Sequence, residues 1–156
     1  RYKNHFFDKP QFSAKPYRFS KKMHEIQSIE NLHTYIRLSN TDGHPNITVV
    51  AFLSYHIKFR MQSKLMCPYL DKGCIDSKIP AIWAVCDVGK YPALAQASDS
   101  IVYPMVHIYV HGKKCYDFAG VFPDLLESYL YCGFLYGLGI RTLSDLQAFE
   151  SVSDME

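Results

Sequence analysis

At 156 residues the chain is long enough for one domain with extensions and a buried core; it is 48% hydrophobic and 21% charged, ordinary for a globular protein, with a high aromatic share of 15%. No apolar run reaches the length of a membrane span. The net charge of +2 conceals a division, because residues 1–22 carry a surplus of +6 and the rest of the chain stands at −4.

Residues 1–22 contain two prolines, no apolar periodicity, and aromatics interleaved with Lys and Arg. They read as a basic aromatic extension, with Arg1, Lys3, Phe6, Phe7, Tyr17 and Arg18 as candidate partner contacts. Such an arm suits RNA, tracking phosphates and stacking on bases, or a groove on an acidic protein subunit. The start at Arg1 fits removal of a targeting segment and equally fits a trimmed chain.

A domain is expected over 23–135 and a tail with a short helix over 136–156. "MHEIQSI" alternates as a short strand, and "SIENLHTYIRLSN" places Ile29, Leu32, Tyr35, Ile36 and Leu38 near one helical face with Ser28 as cap. "TDGHPN" is turn chemistry, and "ITVVAFLSY" is a strand buried on both faces. A helix is predicted from about Ile57 to Leu70, kinked at Pro68. "IPAIWAVCDV" is another buried strand, "GKYPALAQASDS" holds a short helix, and "PMVHIYV" with "CYDFAG" around "HGKK" reads as a hairpin. Pro104 can stand there only at a strand start, an edge or a specific turn, because proline lacks the backbone donor. Pro123 and Asp124 suit the first turn of a last long helix.

The order β-α-β-α-β-α-β-β-α predicts an α/β fold with a central mixed sheet flanked by helices. This order, "VVAFLSY", Asp87 in "VCDVGKYPALA", and the spacing of Ile101, Pro104, Gly112 and Gly120 resemble the thioredoxin fold family over Met23 to Leu135. The resemblance implies a cis bond before Pro104. It also implies a Cys-x-x-Cys pair at the start of the second helix, where exposed amides lower a thiol pKa. This chain departs from the pattern there. Ungapped, the four positions are Ile57, Lys58, Phe59 and Arg60; aligned on Pro68 they are Arg60, Met61, Gln62 and Ser63. The family's buried acid in the central strand is replaced by Ala51. "ITVVAFLSY" is also similar to the central strand of phosducin-like proteins, but a basic arm stands where that family has an acidic helical region.

No other chemistry takes the dithiol's place. Cys67, Cys74, Cys86, Cys115 and Cys132 are odd in number and scattered, which points to a reducing compartment, an unused sequon at Asn46, and thiols buried for structural reasons. His107 and His111 on one strand would stand roughly 13 Å apart, too far to share a metal ion. Phosphate loops, nucleophile elbows and zinc-protease motifs are missing from the sequence.

What remains is surface. In "LLESYLYCGFLYGLG" the helix is apolar nearly all round, so Tyr131, Phe134 and Tyr136 need a second cover. That cover is either a helix in "TLSDLQAFE", capped by Thr142 and Asp145 and folded back, or a partner protein. The expectation is a non-catalytic, redox-inactive docking subunit of a large assembly, without cofactor or metal, in a mitochondrial ribosome or a respiratory or ATP synthase complex. A cytoplasmic phosducin-like regulator or co-chaperone is the alternative, and an oxidoreductase using an unusual single thiol is third.

Overall fold

The computed structural model describes residues 13–155. Five strands, β1 (His24–Ile26), β2 (Ile47–Leu53), β3 (Ile82–Asp87), β4 (Met105–Val110) and β5 (Lys113–Ala119), form one mixed sheet in the order β1-β3-β2-β4-β5. β1, β3 and β2 run parallel, while β4 is antiparallel to β2 and β5 to β4. All seven residues of the central β2 are buried, which accounts for its apolar sequence, broken only by Thr48, whose hydroxyl donates to the Tyr35 carbonyl at 2.8 Å.

Alternation along β2 builds two cores. Val49, Ala51 and Leu53 face the layer of α2 (Arg60–Asp76) and α4 (Pro123–Gly137), meeting Met66, Leu70, Leu126 and Leu130. Val50 and Phe52 face α1 (Ile29–Leu38) and α3 (Ala93–Ala97), meeting Leu32 and Leu94. The Ser28 side chain caps α1 by accepting from the Asn31 amide at 3.0 Å. The three layers are a thioredoxin-like α/β fold, followed by a last helix, α5 (Leu143–Met155).

The bounds of α2 and β5 differ from the sequence expectation: β5 starts at Lys113, paired with Val110, so the hairpin turn is His111–Gly112 and not all of "HGKK". α2 begins at Arg60 rather than Ile57, because the amides of Phe59 and Arg60 both donate to the His56 carbonyl and fold Ile57–Phe59 into a turn. It also runs on past Leu70 to Asp76, with Pro68 inside it. Gly73 allows this continuation against the sheet, since a Cβ there would stand 2.5 Å from Cη2 of the buried Trp83. The tail helix forms but does not fold back. α5 is exposed at every described position except Leu146, and Tyr131 remains exposed. Thr142 Oγ1 accepts from the Asp145 amide at 3.1 Å, so the cap determines where the helix starts and not where it packs.

Candidate functional site

The turn after β2 and the loop before β4 come together at one end of the sheet. Ser54 and Tyr55 leave β2, the turn follows, and α2 starts at Arg60. Side chains hold the turn: Ser63 Oγ accepts from the Ser54 amide at 3.1 Å, Ser54 Oγ from the His56 amide at 3.3 Å, and Arg60 Nε donates to the Tyr55 carbonyl at 2.9 Å. Across from it the Tyr103–Pro104 peptide bond is cis. Tyr103 is buried and anchored by its hydroxyl, which donates to the Ser100 carbonyl at 3.0 Å. Its ring meets that of Phe59 edge to face, which ties the turn to the proline loop.

Apolar side chains are exposed at this end beside His56 and Lys58. Ile57 is 66% exposed and Ile101 87% exposed, with Val102 beside it and Phe59 half-buried between turn and loop. Lys58 Nζ lies 5.4 Å from the Phe59 ring centroid, adding a cation to the rim. Ile57 and Arg60 thus occupy the ends of the four-residue segment at the helix start, and Met61, Gln62 and Ser63 lie in the first turn of α2. Ala51, where an acid would sit beneath, is buried against Val85 and Val106 across the sheet.

The nearest thiol is Cys67, two turns into α2 and fully buried. It donates to the Ser63 carbonyl at 3.1 Å. Burial pushes its pKa up to about 12, and the hydrogen bond from Tyr55 only partly offsets that. Tyr55 is itself raised, by burial first and then by Cys67. Burial also raises Cys86 and, more weakly, Cys74. The expectation of five buried thiols holds for Cys67 and Cys86; Cys74 and Cys115 are partly buried, and Cys132 is exposed on the outer side of α4.

The remaining candidates are dispersed. Tyr17 is half-buried, pairs with the Phe19 ring at 4.8 Å, and donates its amide to the Tyr55 hydroxyl at 3.3 Å, while Arg18 points to solvent. Over 15–22 the basic residues Lys15, Arg18, Lys21 and Lys22 are exposed and the aromatic rings face the core. Arg1, Lys3, Phe6 and Phe7 lie outside the described residues. Phe134 packs against the core under α4, and Tyr136 lies beneath the Arg141 guanidinium at 4.6 Å. His107 is buried, with Nε2 bonded to the Ser98 carbonyl at 2.9 Å and Nδ1 to the Tyr109 hydroxyl at 3.1 Å, so its ring belongs to the core. Among the described residues no three His, Cys, Asp or Glu side chains are grouped to hold a metal, and no helix is long and apolar enough to cross a membrane.

The sequence reading missed Ile101 and Val102, whose β-branched character pointed to a strand entry; only the bend before Pro104 turns them outward.

No protein-family model matches the chain, and no curated protein does. Solved structures do. A poplar thioredoxin h mutant superposes with a TM-score of 0.63 at 17% identity, covering 85% of this chain and 96% of its own. Mitochondrial thioredoxin 3 from Saccharomyces cerevisiae gives 0.58 at 18% identity, covering 70% and 93%. A structure concerned with thiol resolution in yeast mitochondrial 1-Cys peroxiredoxin gives 0.60 at 18% identity, covering 73% and 98%. With its strand order, its helix start after β2 and its cis proline before β4, this chain is a thioredoxin-fold protein.

Proposed function

We propose that this thioredoxin-fold chain is a docking subunit without dithiol chemistry, binding a protein partner at the end of the sheet formed by the α2 start and the Pro104 loop. One observation carries the reading: where the fold presents its helix start beside the cis proline, Ile57, Ile101 and Val102 are exposed together with His56 and Lys58, and no cysteine stands there. Exposed apolar side chains grouped at one surface favour association, since covering them releases ordered water. A nucleophilic thiol needs thiolate character and access, and Cys67, the nearest, has neither.

The partner we propose is a subunit of a large mitochondrial assembly, a ribosome or a respiratory or ATP synthase complex. The support is the +6 surplus of residues 1–22, whose cations over 15–22 face outward and suit RNA phosphates or acidic protein. The test is native capture of the full chain followed by mass spectrometry, beside a disulfide-reduction assay. Recovery of one such assembly, lost with Ile57→Asp and Ile101→Asp, is the expected result. Thioredoxin-like turnover of a disulfide substrate, or capture of a cytosolic chaperonin or G-protein subunits, would overturn it.

A further inference from the structure

Residues 13–22 lie against α2 as a strap, and their side chains divide by direction. The Tyr17 amide donates to the Tyr55 hydroxyl at 3.3 Å and the Ser20 amide to Asp71 Oδ1 at 3.0 Å, which fixes the backbone. Tyr17 and Phe19 turn inward, ring edge to ring face, onto the core that contains Met66, Cys67 and Leu70. Lys15, Arg18, Lys21 and Lys22 are all exposed. The strap has no acid of its own, and among the described residues none of these four cations is in an ion pair.

The positive surplus extends onto α2. Burial first and Arg60 next lower the pKa of the Lys64 ammonium, and Lys15 adds to them, so cations of the strap and of the helix stand close enough to repel. Of the acids beside the strap, Asp71 accepts from the Ser20 amide, and Asp87 accepts from the Gly89 and Lys90 amides. Glu25 and Asp87 share with Lys90 the lining of a cavity of about 90 Å³ at the strap's edge. Residues 1–12 carry Arg1, Lys3 and Lys9 against Asp8, so that segment adds to the surplus instead of cancelling it. Like charge gathered on one face opposes the compact state, and a polyanion relieves it.

Polyanions of two classes suit such a face, and the division of side chains separates them. A protein interface draws most of its affinity from aromatic and apolar anchors, whereas this strap has turned its rings into the core. A phosphate backbone needs charge spread along a track and no anchor. We propose that the outward face of residues 15–22, with Lys64 beside it, binds the phosphodiester backbone of a nucleic acid without reading its bases. Tyr17 and Phe19 are not available for base stacking, so duplex and track meet through charge alone. This narrows the partner chemistry of the basic segment from two classes to one. It does not use Ile57 or Ile101, so capture through that end can fail or succeed independently.

The test is fluorescence anisotropy of the full chain with a labelled duplex of about 20 base pairs, as RNA and as DNA, in KCl from about 50 to 200 mM. Counterion release by four cations should give a log–log slope of affinity against salt of about −3 to −4 or steeper. Arg18→Ala with Lys21→Ala and Lys22→Ala, all at exposed positions, should weaken binding by ~10-fold or more at the lowest salt. The same variant should make the slope shallower by about 2 to 3 with an unchanged thermal transition. Lys21→Gln with Lys22→Gln is the milder second variant and should make it shallower by about 1 to 2. The more tightly bound duplex identifies the source of the phosphates. No binding of either duplex at the lowest salt, or a slope unchanged in both variants, would overturn the proposal. So would tighter binding of polyglutamate or of phosphatidylserine vesicles than of both duplexes.

Discussion

The rings of Phe59 and Tyr103 meet edge to face, with centroids 5.5 Å apart and planes at 81°. This contact joins the turn that starts α2 to the loop that carries Pro104, so the exposed Ile57 and Ile101 are held as one surface. Phe59→Ala should therefore lower stability by about 2 kcal/mol, less than a full core deletion because the ring is only half-buried. Ile57→Ala should change stability by less than ~0.5 kcal/mol yet weaken partner capture. Urea unfolding of both variants beside the capture assay checks the pair; equal stability losses would mean that Ile57 is a packing residue.

Gly73 and Trp83 give a second test. In an open helix Gly→Ala gains roughly 1 kcal/mol of helix propensity. Here the new Cβ would fall 2.5 Å from Cη2 and 2.9 Å from Cζ2 of a buried, rigid indole. Overpacking of that kind typically costs about 1–3 kcal/mol, so the net sign should be destabilising. Trp83 is the chain's single tryptophan, and its emission should shift in the Gly73→Ala variant. A variant at least as stable as wild type, with unaltered emission, would show that α2 moves away from the sheet easily.

The sheet and both cores were legible because burial on two faces leaves an unmistakable pattern, as in "ITVVAFL" and "IWAVCD". The outer row of α2 was not. Met61, Leu65 and Tyr69 have the same spacing as Met66 and Leu70, and only the position of the sheet decides which row is covered. The turn at Ile57–Phe59 escaped for a related reason: two amides sharing the His56 carbonyl leave no composition signal. Pro104 could be placed by resemblance, whereas the outward turn of Ile101 and Val102 depends on the bend before it. The cap at Thr142 marked the start of α5, but where a helix packs is settled by surfaces distant in sequence.

The thiols should separate by exposure. Cys132 is exposed, Cys74 and Cys115 are partly buried, and Cys67 and Cys86 are buried with pKa values raised by desolvation. Alkylation at neutral pH followed by peptide mass spectrometry should label Cys132 first and Cys67 and Cys86 only as fast as the chain unfolds. Rapid labelling of Cys67 in the folded protein would contradict its burial and reopen single-thiol chemistry.

His107 makes stability depend on pH with a definite sign. Burial first, and Lys114 next, hold its imidazole below the ordinary 6.5, while the bond to the Ser98 carbonyl, Asp117 and Asp99 only partly oppose them. The folded state therefore binds this proton less readily than the unfolded chain. Its contribution is fully present above about pH 6.5 and is lost as pH falls through the lowered folded value. The slope from this one group is at most about 1.4 kcal/mol per pH unit. Urea midpoints of wild type should fall between pH 7.5 and 5.5, whereas His107→Gln should start lower, having lost the ring packed at 4.9 Å from Phe52, and show a shallower fall. A variant with the same slope as wild type would assign that pH dependence to other groups.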